Sequence, residues 1–316
     1  MQIRKHLFGI LFGVALFGFT AYLLLDTFVI ARAVTVAEAA GERTESEAVI
    51  ELVSEATVEP TPEATPEATE VEPVATDSSY RDGNISVTLT DYRLLDTTVH
   101  VADVTVTSAD YLKTAFAKST YGRNITQKTS AIASSVNAIL AINGDYYGAQ
   151  RSGYVIRSGV LYRATASKGA EDLVIWRDGS FSIINESEIT AEELIEQGAW
   201  DVLSFGPALV EDGQIAVTES DEVGKAMASN PRTAIGVVDE LHYVFVVCDG
   251  RTSESEGLSL YELAEFMQSL GVQTAYNLDG GGSSSMVFMG SVVNVPTSNG
   301  SSTKERSVSD IVYIGY

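Results

Sequence analysis

The sequence of 316 residues has a single cysteine, Cys248, so the chain forms no intramolecular disulfide. Cys248 ends the apolar run 243–248 and is interpreted as a small core residue. With only three histidines in the chain, a Cys–His or Ser–His–Asp nucleophilic site is not expected. The lack of disulfides fits an exported protein of a single-membrane, Gram-positive-type bacterium better than an animal secretory protein.

Several familiar catalytic motifs are also missing. There is no HExxH motif, Cys/His zinc cluster, Walker loop or GxGxxG fingerprint. Basic residues are scarce, with 20 Lys and Arg against 43 Asp and Glu, and the formal net charge is -23. Such a chain binds polyanions poorly, so no nucleic-acid partner is expected, although local arginines can still bind one phosphate. Carboxylates, arginines and backbone amides remain as catalytic groups.

One long apolar run is present, at residues 7–25, and it follows Arg4 and Lys5. Its length suffices to cross a bilayer, and the preceding cations predict a cytoplasmic N-terminus. A cleaved signal peptide, cut near residues 31–33, is the alternative, but the run is long for one. The sequence favours an uncleaved single-pass signal anchor, with residues 1–35 forming the cytoplasmic tip and transmembrane segment.

A change of composition then divides the chain. Residues 36–79 are rich in Glu, Pro, Thr and Ala, with twelve acidic residues against one basic residue. This stretch lacks the apolar residues that form a core, so it predicts a disordered, extended stalk. Residues 80–316 are numerous enough for one substantial extracellular domain.

The pattern of this domain predicts a strand-rich, mixed α/β (α+β) fold. Strand-like runs flank Ser158-Gly159 and Asp178-Gly179, which are hairpin signals. Capping boxes at Thr190 and Ser259 predict two helices, and the second ends near Gly271.

That second helix lies between two apolar runs, 242–248 and 272–278, which suggests a βαβ unit. Ligands bind beyond the carboxyl ends of such strands. Asp249 and Arg251 follow the first run and Asp279 follows the second, so they are expected to face one crevice.

The segment after Asp279 is the most informative in the chain. Asn277 and Asp279 end an apolar run, and three glycines and three serines follow. Glycines allow close approach of another molecule, and successive free amides can form an anion-binding concavity. A tight, solvated turn is the alternative reading.

Two further segments present polar groups at strand ends. Asn143, Asp145 and Tyr146 form a glycine-bounded turn with the aromatic and amide groups typical of sugar sites, although an ordinary Asn-Gly turn is the alternative. Arg232 follows Pro231 into a strand, where its rigid fork suits a phosphate or a carboxylate.

In their order and spacing, these segments resemble the phosphodiester glycosidase family from about residue 130 to the C-terminus. The matching stretches are Asn-Gly-Asp-Tyr-Tyr at 143–147, the hairpin at 153–159, Ser-Phe-Gly-Pro at 204–207, Pro-Arg-Thr-Ala-Ile-Gly at 231–236, Asp-Gly-Arg at 249–251 and Asn-Leu-Asp-Gly-Gly-Gly-Ser-Ser at 277–284. The resemblance implies a mixed α/β fold and hydrolysis of a sugar-1-phosphate diester at its glycosidic side. The physiological polymer stays open.

The resemblance implies roles for these residues in cleaving a glycosyl phosphodiester. The phosphate leaving group of such a substrate needs little protonation. Asp279 and Asp145 are the candidate catalytic carboxylates, and Asn143 and Asn277 are candidate sugar or orienting contacts. The groups expected to bind phosphate are Arg232, Arg157 and the amides of Gly281, Gly282, Ser283 and Ser284. Whether a divalent cation such as Ca²⁺ assists is left open.

Two readings compete with an enzyme. The domain could be a non-catalytic module that binds an envelope glycan or teichoic-acid-like polymer, because the same aromatics and amides would serve that role. A structural scaffold of the cell envelope is the third reading.

Overall fold

The computed structural model describes residues 12–23, 25, 30–33, 72–221 and 229–316. Residues 12–23 are helical, and no helix in the described part of the chain is both long and apolar enough to cross a membrane. Most of the predicted stalk lies outside the described residues. The anchor and the stalk therefore stay predictions.

The described residues are rich in β-structure. The strands are β1 Arg32–Ala33, β2 Val74–Ala75, β3 Ser79–Arg81, β4 Ile85–Leu94, β5 Thr97–Val106, β6 Leu112–Phe116, β7 Gly122–Arg123, β8 Gln127–Lys128, β9 Leu140–Asn143, β10 Val155–Arg157, β11 Val160–Arg163, β12 Glu171–Trp176, β13 Phe181–Asn185, β14 Ala199–Leu203, β15 Ala208–Glu211, β16 Gln214–Ile215, β17 Arg232–Asp239, β18 His242–Cys248, β19 Thr274–Leu278, β20 Met286–Phe288, β21 Ser291–Val292, β22 Ser307–Val308 and β23 Asp310–Ile314.

Three short α-helices accompany these strands: α1 Thr129–Ser135, α2 Ala191–Gln197 and α3 Leu260–Ser269. The predicted capping boxes are present, since the Thr190 and Ser259 hydroxyls accept the amide protons of Glu193 and Glu262. Single 3₁₀ turns form at Ala109–Tyr111, Ala117–Ser119, Tyr147–Ala149 and Gly281–Ser283.

The strands form three main sheets. The large sheet has nine strands in the order β16-β15-β19-β17-β18-β5-β4-β3-β2. The second sheet has the order β11-β10-β14-β12-β13, and the third has the order β21-β20-β9-β23-β6. Two small ribbons, β1-β7 and β22-β8, complete the pairing. The strand-rich, mixed α/β prediction is confirmed.

All three sheets contribute to one central core. Phe245, Leu173 and Ile142 represent the large, second and third sheets within it. Each sheet also packs one helix in a separate apolar cluster, with α3 on the large sheet, α2 on the second and α1 on the third. The helices therefore occupy outer positions, as expected when a sheet buries one face and a helix covers the other.

The predicted βαβ unit needs one correction. β18 and β19 do not pair with each other, because β17 lies between them and is antiparallel to both. β18 and β19 consequently run parallel, and their carboxyl ends still reach the same edge. β17 and β18 form a local hairpin, but the pairing of β17 with the distant β19 leaves no periodic signal in the sequence.

The large sheet also begins earlier than the predicted domain boundary at residue 80. Val74 and Ala75 form the edge strand β2 and pair with Arg81 and Tyr80 of β3. Both β2 residues are exposed. The last residues of the predicted stalk therefore contribute hydrogen bonds to the domain.

Candidate active site

Three strands of the large sheet bring polar residues to one edge. Arg232, at the start of β17, pairs with Cys248 at the end of β18, and Thr233 pairs with Leu278 at the end of β19. The chain turns after β18 at Asp249 and after β19 at Asp279. The candidate site lies at this edge, as ligands commonly do beyond the carboxyl ends of strands.

A cavity of about 180 Å³ opens at this edge. Among the described residues that line it, Asp279 is the only carboxylate, and three are arginines. The lining consists of Phe205, Asn230, Pro231, Arg232, Arg251, Asn277, Leu278, Asp279, Gly280, Gly281 and Arg306.

Asp279 is held in a defined position within this cavity. Its side-chain oxygen Oδ2 accepts hydrogen bonds from Ser283 Oγ at 2.5 Å and from Arg306 Nη2 at 3.0 Å. Burial raises the pKa of Asp279 above its ordinary value, while the Arg306 charge and the Ser283 hydroxyl oppose the rise. The site thus presents one buried, oriented carboxyl group.

The three arginines of the cavity differ in their anchoring. Arg232 is buried, and its Nε donates to Leu258 O at 2.9 Å. Arg251 donates to neutral acceptors, which are Asn230 Oδ1 at 2.9 and 3.1 Å and Ser298 O at 2.6 Å.

The arginines are close enough to influence one another. Burial lowers the pKa of Arg251, and the charges of Arg306 and Arg232 lower it further. No described carboxylate lies within salt-bridge distance of Arg251. An anion in the cavity would relieve this repulsion between like charges.

The glycine loop does not form the predicted amide cradle. Gly281 N donates to Pro231 O at 2.7 Å, and the amides of Ser283 and Ser284 donate to Gly280 O and Gly281 O at 3.2 Å. Three of the four amides expected to bind phosphate are therefore already satisfied within the chain. The Ser283 and Ser284 amides close a 3₁₀ turn, and the Gly281 amide joins the loop to Pro231. Sequence alone does not distinguish this arrangement from an open nest.

The loop instead shapes the cavity. Gly281 has a φ of 61° and lines the cavity, and an added Cβ there would lie 2.8 Å from Arg251 Nη2. An added Cβ at Gly282 would clash with the Ser298 side chain, while Ser283 lines the adjoining larger cavity. Ser284 is fully buried. The glycines thus let the arginine approach the backbone closely.

The larger cavity, of about 420 Å³, shares Asp279 and Arg306 with the smaller one. Tyr146 lines it with 42% of its surface exposed, and Gln150 and Asn124 supply amide groups. Within the described part of the chain, Asp279 is again the only carboxylate that lines this cavity. Asp279 and Arg306 therefore stand at the junction of an arginine-rich cavity and a cavity with a tyrosine and amides.

Asp145 and Arg157, both predicted site residues, lie behind these cavities in a buried ion network. Arg157 Nη2 is 2.9 Å from Asp145 Oδ2 and 2.6 Å from Asp310 Oδ2. Asp145 also accepts the amide protons of Tyr147 and Ser204. Neither residue lines the two cavities. Their geometry is that of a structural support.

The electrostatics of this network fit its burial. Burial alone would lower the pKa of Arg157, but the Asp145 and Asp310 charges more than offset this effect and raise it. Burial and the Asp145 charge raise the pKa of Asp310 well above its ordinary range, against the opposing charge of Arg157. A Cβ at Gly144 would clash with Asp310, which explains a glycine between Asn143 and Asp145.

The two predicted asparagines orient the backbone. Asn143 Nδ2 donates to Asp279 O at 2.6 Å, while Asn143 Oδ1 accepts from the Thr233 hydroxyl at 2.9 Å. Asn277 Nδ2 donates to Gly206 O at 2.7 Å, and Asn277 lines the smaller cavity. Asn143 therefore fixes the backbone of Asp279, and Asn277 joins β19 to the segment at Gly206.

Asp249 shares the edge but faces a different network. Its Oδ2 lies 3.3 Å from His100 Nε2, and its Oδ1 accepts from Val295 N at 2.8 Å. His100 Nδ1 lies 2.7 Å from Asp91 Oδ1. Asp249 lines neither cavity. Of the two residues predicted after β18, only Arg251 reaches the site.

Sequence reasoning missed Arg306 and Asn230. Arg306 lies in the polar stretch before β22, where no strand-end motif marks it. Asn230 directly precedes the Pro-Arg motif at 231–232, and this position could have marked it as a site residue. As for metals, the described residues contain no group of three or more His, Cys, Asp or Glu side chains that could hold an ion.

Comparison with known families gives one match over most of the domain. The family model described as phosphodiester glycosidase matches residues 136–315. The SPbeta prophage-derived uncharacterized protein YomE of Bacillus subtilis (strain 168) is 30% identical over 201 residues, which cover 62% of this chain and 31% of that protein.

Animal enzymes are also similar. N-acetylglucosamine-1-phosphodiester alpha-N-acetylglucosaminidase of Mus musculus is 28% identical over 172 residues, which cover 50% of this chain and 33% of the enzyme. The chain thus spans about a third of the length of these curated relatives.

The zebrafish form of that enzyme, a catalytic domain auto-inhibited by its pro-peptide, has a similar fold. The TM-score is 0.59 at 21% identity, with coverage of 78% of this chain and 89% of that one. A hypothetical protein from Synechocystis gives a TM-score of 0.57 at 14% identity, with coverage of 78% of this chain and 64% of that one.

Proposed function

Because the chain belongs to the phosphodiester glycosidase family, we propose that it hydrolyses a sugar-1-phosphate diester to a free sugar and a phosphate monoester. The sugar is a GlcNAc-like residue, in keeping with the activity for which the animal relatives are named. The observation that carries the proposal is the position of Asp279, the one carboxylate among the described residues of a cavity that three arginines also line.

The smaller cavity suits the phosphate. Guanidinium groups bind phosphate oxygens through paired, charge-assisted hydrogen bonds. Arg232, Arg251 and Arg306 supply such groups from three separate segments. Burial lowers the pKa of Arg251 most, and repulsion from Arg306 and Arg232 lowers it further; this repulsion makes an entering anion electrostatically favourable. These arginines replace the loop amides as the proposed phosphate ligands.

The larger cavity suits the sugar. Tyr146 offers a half-exposed ring for an apolar sugar face, and Gln150 and Asn124 offer groups that bind hydroxyls. Asp279 and Arg306 belong to both cavities. The scissile bond is therefore assigned to their junction, with C1 beside Asp279 and the bridging oxygen beside Arg306.

Asp279 is assigned as the general base. Asp279 accepts a proton from water as the water oxygen attacks C1. The bond between C1 and the bridging oxygen breaks, and the electron pair of that bond stays on the phosphate oxygen. A base is more effective when its pKa lies nearer the working pH, as the burial of Asp279 provides. Phosphate leaves without strong protonation, so one carboxylate suffices, in contrast to the pair used for ordinary glycosides.

The location proposed for this activity is the outer face of the cell membrane. An apolar run at residues 7–25, preceded by Arg4 and Lys5, and an acidic stalk before the domain support this location. The substrate proposed there is an exopolysaccharide or wall polymer that contains glycosyl phosphodiesters.

The proposal is tested by comparing a GlcNAc-1-phosphodiester with a neutral aryl glycoside of the same sugar. The purified chain is expected to release free sugar from the diester and to leave the neutral glycoside intact, because the arginines bind only the former. Arg232→Lys keeps the charge but loses the fork. We expect it to lower kcat/KM by about tenfold or more, the loss of one charge-assisted hydrogen bond.

Binding without turnover is the result that would contradict the proposal. If calorimetry shows that the diester binds and mass spectrometry detects no free sugar, the domain is a glycan-binding module. Equal turnover of the diester and the neutral glycoside would show that the site does not recognise the phosphate.

A further inference from the structure

A third depression adjoins the two cavities of the candidate site. Its volume is about 450 Å³, and it shares Arg306 with both cavities and Ser307 with the larger one. Lys128 and Lys304 lie in its lining. The three spaces therefore meet around Arg306 and are together called the groove.

The chain fixes these groups to the catalytic edge. Lys128 pairs directly with Ser307 in the β8–β22 ribbon. Arg306 N donates to Gly282 O at 3.2 Å in the glycine loop, and Lys304 N donates to Pro296 O at 2.7 Å. Backbone hydrogen bonds thus hold the segment that carries Lys304 and Arg306 against the loop that follows Asp279.

The charge of this depression is unusual for the domain. From residue 80 onward the sequence has sixteen basic and thirty acidic residues. Lys128 and Lys304 are nevertheless exposed, and no described carboxylate lies within salt-bridge distance of either one.

Glu305, the one carboxylate among the described lining residues, forms hydrogen bonds elsewhere. Glu305 accepts hydrogen bonds from Ser130 N at 2.9 Å and Ser130 Oγ at 2.6 Å, at the start of α1. A cationic surface therefore continues from the arginine-lined cavity to the outer end of the groove, within an otherwise acidic domain.

From this continuity we infer that Lys128 and Lys304 bind a second phosphate of the substrate, so that the enzyme acts on a polymer of repeating glycosyl phosphates. The inference rests on the proposed function. Lysine binds phosphate as a point charge on a flexible stem, which suits a repeat of variable conformation. A second charged contact on the same chain adds affinity through effective concentration.

The test compares a substrate with one phosphodiester and an oligomer with several. For the Lys128→Ala/Lys304→Ala double variant, we expect KM for the oligomer to rise about fivefold, as for two exposed charge contacts. The kcat for the oligomer and both constants for the single diester should stay at wild-type values. Lys168→Ala is the matched control, because Lys168 is exposed and lines none of the three spaces.

Ionic strength gives a second readout. Since exposed charges are screened within about 8 Å at 0.15 M salt, added salt should raise the wild-type KM for the oligomer toward that of the double variant.

Three outcomes would overturn the inference. In the first, the wild type cleaves both substrates and the double variant has an unchanged KM for the oligomer. This result would support the proposed function but contradict the second phosphate site. An equal rise in KM in Lys168→Ala would indicate a nonspecific charge effect. If the wild type cleaves neither substrate, the proposed function fails and this inference fails with it.

Discussion

Asp279 combines burial with access to two cavities, which is the arrangement expected of a positioned base. Asp279→Asn keeps the size of the side chain and removes its charge. We expect kcat to fall by about 10²-fold or more, as for loss of an acid–base group. Thermal stability should change little, because two effects of the substitution oppose each other. It removes the cost of burying a charge, and it also removes the ion pair with half-exposed Arg306. Steady-state kinetics and thermal melting measure the two effects. Full activity of the variant would show that Asp279 is not the catalytic base.

Asp145 should behave in the opposite way. In Asp145→Asn, Arg157 keeps Asp310 but loses one buried carboxylate. We expect the free energy of unfolding to fall by on the order of 3 kcal/mol, while kcat of the folded protein stays within about tenfold of wild type. Denaturant unfolding and kinetics on the same sample check this. Unchanged stability with a hundredfold loss of kcat would restore the catalytic role predicted from the sequence.

At the residue scale, strand-end motifs located the candidate site but did not assign each side chain within it. Asp279, Arg232 and Arg251 lie in the smaller cavity because each follows or begins a strand at the same edge. Asp145 has the same local pattern, yet its side chain turns inward to Arg157. The direction of a side chain depends on partners far away in sequence, which a local motif does not contain.

Among the elements, local signals gave the reliable predictions. The capping boxes at Thr190 and Ser259 and the hairpin at Ser158-Gly159 are confirmed, because each depends on neighbouring residues alone. The pairing of β18 with β5 and the insertion of β17 beside β19 join distant segments. Several sheet orders satisfy the same apolar pattern, so sequence alone leaves the order open.

One contact joins several of these elements and should make stability depend on pH. His100 on β5 contacts Asp91 on β4 and Asp249 after β18. Burial alone would lower the pKa of His100, but hydrogen bonds to Asp249 and Asp91 raise it above its ordinary value. The folded state therefore holds this proton more tightly than the unfolded state.

The sign of the effect follows from linkage. The contribution of His100 is fully present below about pH 6.5, its pKa when unfolded, and it is lost as pH rises through the raised folded-state pKa. We expect His100→Gln to remove this part of the pH dependence, measured by denaturant unfolding between pH 5 and 9. Identical slopes in the variant and the wild type would contradict the assignment.

For the whole molecule, the three sheets around one core place the candidate site at the edge of the large sheet, and the location of the domain outside the cell stays a prediction. The sequence predicts that Arg4 and Lys5 keep the N-terminus inside and that the acidic stalk separates the anchor from the domain. Protease added to intact cells is expected to release a domain-sized fragment. Protection of the chain until lysis would contradict this topology.

The central claim is that the domain breaks the bond between sugar C1 and the phosphate oxygen. Hydrolysis of a GlcNAc-1-phosphodiester in water labelled with oxygen-18, followed by mass spectrometry of both products, tests it most directly. Attack of water at C1 beside Asp279 predicts that the label appears in the free sugar and that the phosphate monoester stays unlabelled. Label in the phosphate monoester would show attack at phosphorus, which would contradict the glycosidase mechanism.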